Sequence, residues 1–453
     1  MDDVDLLKSG HVLVLPLPVQ GHINPILQFS KRLVSKGIKV TLFTTILASK
    51  SVQPGVSSIS VETFSEGEGF ESSSGDNFMK KIEIAVCKNL PEFIKKQERL
   101  GCPVKCVVYD SIMPWALPLA KELGLIGASF YTQSSAVSAI YYQVNKGLIG
   151  MPVDGPTMLV PGLPLLEPDE LPSFVHKPDV YPAILPLVLS RFSNVDEADW
   201  LLFNTYDKLE EQVVNWMAKQ SQTRMITIGP TVPSFYLDKR LEDNAYGLHL
   251  FTPDSDTCTK WLDTKEAASV VYMSFGSLAN LGEEQMEEIA WGIRNTNYNF
   301  IWVVRATEES KLPKNFVQET SGKGLVTGWC QQLEVLAHKA VGCFVTHCGW
   351  NSILEALSLG VPMVAMPQWT DQPTNAKFVE DVWKVGVRAK TDEKGMVTRD
   401  ELEESIKLVM EGERREEINK NAIRLKELAL EAVDEGGSSD KNIDEFVSKI
   451  LCT

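Results

Sequence analysis

His22, one of six histidines in 453 residues, sits where the chain changes character. An apolar run, "HVLVLPL" (11–17), leads into "PVQGHINP", where Pro18, Gly21 and Pro25 break the backbone pattern around the imidazole. Asp110 closes a second apolar run, "KCVVYD" (105–110). If both runs are parallel strands, their carboxyl ends open on one sheet edge, and the two side chains can meet. A carboxylate on Nδ1–H fixes the tautomer and stabilises an imidazolium, leaving Nε2 as a general base for an incoming hydroxyl. The plainer alternative is a loop histidine with a satisfied hydrogen bond and an aspartate capping the next helix. A serine-hydrolase reading fails for want of a G-x-S-x-G elbow, since "FGSLA" (275–279) lacks the second glycine.

A second set of residues lies between 329 and 372, in "WCQQLEVLAHKAVGCFVTHCGWNSILEALSLGVPMVAMPQWTDQ". Here "CFVTHCG" passes directly into "WNSILEAL". Asn351 and Ser352 thus fall in a helical first turn, where backbone N–H groups and the helix dipole favour an anion. His347 stands beside that turn as a donor for phosphate oxygen. Trp329 offers a flat face for a base, and Glu355, one turn after Asn351, can accept ribose hydroxyls. Asp371 and Gln372 follow the next strand, and acceptor-rich side chains there suit a polyol. Each residue also has an ordinary use, as core aromatic, core histidine or helix cap; together they make a base platform, an anion site and a polyol reader.

The elements that must position these groups alternate between strand and helix. "NPILQFSKRLVSKG" (24–37) is read as a helix with Asn24 as N-cap, Pro25 at its first position and Gly37 at its exit. "KVTLFTT" (39–45), "KCVVYD", "GASFYT" (127–132), "DWLLFNT" (199–205) and "MITIGP" (225–230) are read as strands of one sheet. A Pro-, Asp- and Gly-rich stretch follows, and a second series begins with "SVVYMSFGS" (269–277) and "NFIWVVR" (299–305). It continues through "GLVTGW" (324–329), "VGCFVTHCG" (341–349) and "VPMVAMP" (361–367). The expected architecture is α/β: two Rossmann-like, doubly wound domains facing a cleft, with ligands at the carboxyl ends of the strands. Its expected parts are an N-terminal domain (1–232), a linker (233–257), a C-terminal domain (258–435) and a closing helix (436–453) that packs back on the first domain.

Composition narrows the function classes. A formal charge of −16 argues against nucleic acid and anionic membrane as partners, though not against a single nucleotide on local backbone amides. The start, "MDDVDLLKSG", has no basic region leading into an apolar one, and no apolar run reaches membrane-spanning length. The eight cysteines form no C-x-x-C pair, so buried thiols in a reducing cytoplasm are expected rather than zinc ligands. "DSD" (254–256) reads as turn and helix cap, and no metal site is expected. The apolar stretches 134–143 and 174–189 are candidates for an acceptor pocket.

The 329–372 stretch, with its "HCGWNS" core, "LEAL" helix and closing "PQWTDQ", resembles the signature box of plant secondary-product UDP-glycosyltransferases. "QGHINP", "YDSIMPW", "SFGSL" and "DEGGSSDKNI" extend the resemblance over the whole chain, closest to the subgroup acting on small carboxylic acids, phenolics and terpenoid or steroid aglycones. It implies the two-Rossmann-domain GT-B fold, with the acceptor in the first domain and the donor in the second. Trp329 would stack on uracil, with the Cys330 backbone at its edge. Gln332 and Glu355 would hold the ribose. Ser277, His347, Asn351, Ser352 and the Trp350 amide would bind the diphosphate. Asp371 and Gln372, helped by Thr132, would read the sugar, and a closing glutamine is typical of glucose users. Val19 and Ile353 depart from the more frequent serine and threonine. The implied enzyme is a cytoplasmic, metal-independent monomer without cofactor. In it, His22, oriented by Asp110, deprotonates a lipophilic acceptor that displaces UDP from UDP-glucose with inversion. Two alternatives remain at this point: a nicotinamide-dependent oxidoreductase, disfavoured because "PVQGHINP" is not G-x-G-x-x-G, and a non-catalytic sugar-nucleotide binding protein.

Overall fold

The computed structural model describes residues 10–52, 58–67, 75–153, 155–157, 160–248 and 254–452. The first nine residues and positions 249–253 of the expected linker lie outside the described residues. The chain divides into two compact units, one of Met1–Leu163, Phe174–Leu250 and Glu431–Thr453, the other of Pro164–Ser173 and Phe251–Leu430.

The first unit is built on seven strands: β1 (His11–Leu15), β2 (Lys39–Thr45), β3 (Ser60–Phe64), β4 (Cys106–Asp110), β5 (Ile126–Tyr131), β6 (Trp200–Phe203) and β7 (Arg224–Thr227). Their order is β3-β2-β1-β4-β5-β6-β7, and every pair is parallel. Both faces of the central strands are covered, which is why β1 and β4 are continuous apolar runs rather than alternating ones. The chain order reverses between β1 and β4, and at such a switch point the crevice beyond the strand ends is a natural ligand site. His22 follows β1, and Asp110 ends β4.

The helix after β1 begins earlier than the Asn24 cap predicts. It spans Gln20–Ser35, with Val19 as an extended N-cap, so His22 lies in its first turn and Pro25 in its second. Ile23, Ile26 and Leu27 are fully buried, and burying one such side chain stabilises by about 1.5–3 kcal/mol. That draws the preceding turn into the helix. Pro25 removes only one interior N–H, while the Val19 carbonyl accepts from both His22 and Ile23 at 3.0 Å.

Residues 233–248 have linker composition but belong to the first unit. The same helix carries a buried polar row, and this segment supplies its partners. Gln28 Nε2 donates to the carbonyls of Ala245 (3.2 Å) and Tyr246 (3.1 Å), Lys31 pairs with Asp243, and Arg32 pairs with Asp238 at 2.5 Å. The closing helix, Ser438–Leu451, also joins this unit. Ile443, Phe446, Val447 and Ile450 enter its core, and Asn442 Nδ2 donates to the Thr227 carbonyl at 2.9 Å.

The second unit has six parallel strands: β8 (Val270–Ser274), β9 (Asn299–Val303), β10 (Gly324–Thr327), β11 (Val341–Thr346), β12 (Met363–Ala365) and β13 (Gly386–Arg388). Their order is β10-β9-β8-β11-β12-β13, with the reversal between β8 and β11. Sequence patterning overlooked β3 and β13. The first is a largely exposed edge strand and the second has only three residues, so neither presents a long apolar run. Among the described residues no helix is long and apolar enough to cross a membrane.

Candidate active site

At the switch point of the first sheet, His22 Nδ1 lies 2.6 Å from Asp110 Oδ2. Asp110 has no exposed side-chain surface, whereas 25% of the His22 side chain is exposed. The carboxylate is held in turn by the Ile112 N–H, 3.2 Å from Oδ1, and more distantly by the Leu17 N–H at 3.5 Å. A carboxylate can only accept, so Nδ1 carries the proton and Nε2 is left with its lone pair. Thr132, which follows β5, sets its Oγ1 3.4 Å from the same Nδ1. It therefore stands with the histidine, in the first unit, as a neighbour of the proposed base.

The second unit gathers the 329–372 residues around the ends of β8, β10, β11 and β12. Asn351 and Ser352 are the second and third residues of the Trp350–Leu359 helix, whose N-cap, Gly349, brings no side chain to its first turn. Gln332 Nε2 donates to Ser352 Oγ (2.9 Å) and to Glu355 Oε2 (2.7 Å), so three of the expected ligands form one hydrogen-bonded group. Trp329, two residues beyond β10, is half-buried, and its carbonyl accepts from the Asp254 N–H at 2.9 Å. Cys330 is buried, 3.4 Å from the Tyr272 hydroxyl.

His347 is wedged between glycines. A Cβ on Gly276 would stand 2.7 Å from its Nε2, and one on Gly349 would stand 2.6 Å away. Gly276 also has φ +73°, a conformation open to glycine at little cost. Desolvation lowers the His347 pKa to about 4, so at neutral pH it is a neutral donor and not a cation.

Asp371 and Gln372 are buried at the start of the Gln372–Lys377 helix. Gln372 Oε1 accepts from the backbone N–H groups of Gln368 (2.9 Å) and Trp369 (3.0 Å), so the amide presents its Nε2 donor. Asp371 accepts from Thr370 Oγ1 at 2.5 Å and from Asn375 Nδ2 at 2.9 Å. The acceptor-rich character expected of this pair is thus partly taken up internally, because both side chains are buried and need partners of their own.

Comparison with known proteins decides what this arrangement belongs to. The family model for UDP-glucoronosyl and UDP-glucosyl transferases matches residues 246–431. Mogroside I-E synthase of Siraitia grosvenorii is 51% identical over 98% of this chain and 99% of its own. UDP-glycosyltransferase 74E2 of Arabidopsis thaliana is 50% identical over 97% and 99%. The crystal structure of Os79 from O. sativa in complex with UDP superimposes with a TM-score of 0.90, at 39% identity, over 97% of this chain and 100% of that one. The chain belongs to the plant secondary-product UDP-glycosyltransferases.

As a UDP-glycosyltransferase it is an enzyme with the two-Rossmann-domain fold of that family, and the nicotinamide-dependent alternative falls away. Several residues that shape the candidate site carry no obvious motif. Arg305 donates to the carbonyls of Ser277 and Ala279, stiffening the loop after β8. Asn375, one helical turn after Asp371, ties that carboxylate to the Cys348 carbonyl at 3.0 Å. Cys348 and Thr370 take φ values of +65° and +57°, so the turns after β11 and β12 hold non-glycine residues in the left-handed region. Only the Asp371/Asn375 spacing of four offers a sequence signal.

Within the 134–143 stretch, Val137, Ile140 and Tyr141 have no exposed surface. "DSD", read from the sequence as turn and helix cap, begins the Ser255–Asp263 helix, with Asp254 at its N-cap and Asp256 3.9 Å from Lys260.

Proposed function

We propose that this UDP-glycosyltransferase moves glucose from UDP-glucose to a hydroxyl or carboxyl group of a lipophilic small molecule, with inversion and without a metal ion. The observation that carries the reading is the 2.6 Å contact between a wholly buried carboxylate and a partly exposed imidazole at the β1/β4 switch point. In this reading the first unit binds the acceptor and the second the donor. His22 Nε2 takes the proton of the acceptor hydroxyl, and the resulting oxygen nucleophile attacks the anomeric carbon. The C–O bond to UDP breaks as the new one forms, leaving a β-glucoside. Asp110 stabilises the imidazolium formed at His22.

On the donor side, Trp329 stacks on uracil, the Cys330 backbone meets its edge, and Gln332 with Glu355 holds the ribose. Ser277, His347, Asn351, Ser352 and the Trp350 amide hold the diphosphate, whose charge grows as it leaves. Asp371 and Gln372 order the glucose, and Thr132 stands at the His22 end. Support for the donor comes from the UDP in the Os79 complex and from a 45% identical UDP-glucosyltransferase 74AE2 of Panax ginseng. Mogroside synthesis in a 51% identical relative, and a trichothecene bound in another Os79 complex, favour a terpenoid or steroid-like aglycone over a polar one. A cytoplasmic monomer is part of the same reading, and the eight free cysteines suit a reducing compartment.

The test compares wild type with His22→Ala, in buffer containing EDTA, with UDP-glucose and an alcohol acceptor. Wild type should form glucoside. The variant should form none, while still binding UDP with wild-type affinity by calorimetry. Full activity of the variant would remove His22 as the base, and loss of wild-type activity in EDTA would overturn metal independence.

A further inference from the structure

Tyr272 lies on β8 with 1% of its surface exposed and stacks on Phe344, ring centroids 5.0 Å apart at 20°. Packing accounts for the ring but not for the hydroxyl. That group donates to Gln332 Oε1 at 3.2 Å, and Gln332 Nε2 donates onward to Glu355 Oε2 and Ser352 Oγ. A hydrogen-bonded chain therefore runs from the interior of a strand to the first turns of the Trp350–Leu359 helix.

An amide has two unlike ends, and this chain selects between them. Turned over, Gln332 would face its Oε1 toward the Glu355 carboxylate, a repulsive contact, and would give up the hydrogen bond it accepts from Tyr272. We propose that Tyr272 is a positioning residue for the nucleotide sugar: its hydroxyl holds the Gln332 amide in the orientation that orders Glu355 and Ser352 together. The inference rests on reading the 329–372 stretch as the UDP-sugar site. Burial, and then the neighbouring Cys330, hold the Tyr272 pKa well above the usual phenol range, so the hydroxyl keeps the proton it donates.

Tyr272→Phe retains the ring and removes only the donor. From the net worth of one hydrogen bond, UDP affinity should fall about 3- to 10-fold. KM for UDP-glucose should rise in step, with kcat and acceptor KM unchanged. Phe344→Leu, which disturbs the stack but keeps the hydroxyl, should leave UDP affinity unchanged. In a Gln332→Ala background, adding Tyr272→Phe should cause no further loss. Calorimetry of UDP binding to the full chain reads all of these without depending on turnover, and a cooperative melt confirms that each variant folds. Wild-type affinity in Tyr272→Phe, an equal loss in Phe344→Leu, or losses that multiply in the double variant would each overturn the positioning role. Failure of the wild-type chain to bind UDP would instead overturn the reading beneath it.

Discussion

Asp110 and His22 pair a side chain sealed from solvent with one that reaches it. Buried without a cation, Asp110 is stabilised by the Ile112 N–H and by the ring proton it accepts. Asp110→Asn keeps the shape but can donate to Nδ1, which favours the tautomer whose Nε2 carries the proton. By analogy with the serine-protease triad, kcat for an alcohol acceptor should fall on the order of 10³- to 10⁴-fold, with UDP affinity intact. Steady-state rates and calorimetry check both halves.

His347 carries a pH signature of a different kind. Its pKa is lowered from 6.5 to about 4 by burial. Between those values the unfolded chain binds a proton that the folded chain does not, so stability rises with pH across the window. It is fully present above 6.5 and is lost as pH falls toward 4, at up to about 1.4 kcal/mol per pH unit. His11, also lowered by burial, adds with the same sign. Urea denaturation between pH 7 and 5 should show this slope, and His347→Gln should flatten it; an unchanged slope would mean that the imidazole is hydrated in the folded chain.

At the scale of elements, the helix that carries His22 is held from behind. Phe29 on that helix packs against Phe446 of the closing helix at 5.9 Å, and Phe446 meets Trp200 of β6 edge-on at 5.5 Å. Phe446 is fully buried, so Phe446→Ala should destabilise the chain by about 3–5 kcal/mol, read from the urea midpoint of the first unit's transition. A loss within the error of the measurement would show that the closing helix detaches without consequence. Strand positions were legible because strands buried on both faces are rich in apolar and β-branched residues, as β2 and β11 are. Helix starts were less so: Asn24 and Pro25 form a good local cap, yet burial of Ile23 moves the helix start to Gln20. The 233–248 segment joins the first unit for a related reason. Its Asp238 and Asp243 serve a buried cationic row whose existence no local pattern announces.

For the whole molecule, the two units have separate cores: one around Val12, Phe29 and Phe446, the other around Met273, Trp302 and Val345. If the donor belongs to the second unit alone, UDP should stabilise that unit. At 100 times Kd the linkage is worth about 2.7 kcal/mol. Hydrogen exchange should therefore slow in β8 and β11 and in the Trp350–Leu359 helix, with β1 to β7 little changed. Equal protection of both sheets would contradict the division. The sequence by itself determined the α/β class and the family, and it singled out candidate site residues at or just after the ends of β1, β4, β8, β10, β11 and β12. It could do so because strands and turn residues obey local rules, and the signature stretch is contiguous. Only the tertiary structure decided that Thr132 stands beside His22, that Tyr272 sets Gln332, and that Asn375 anchors Asp371. Two of these three partnerships join residues far apart in the chain, and strand order, register and burial, rather than sequence neighbourhood, choose which polar atoms meet.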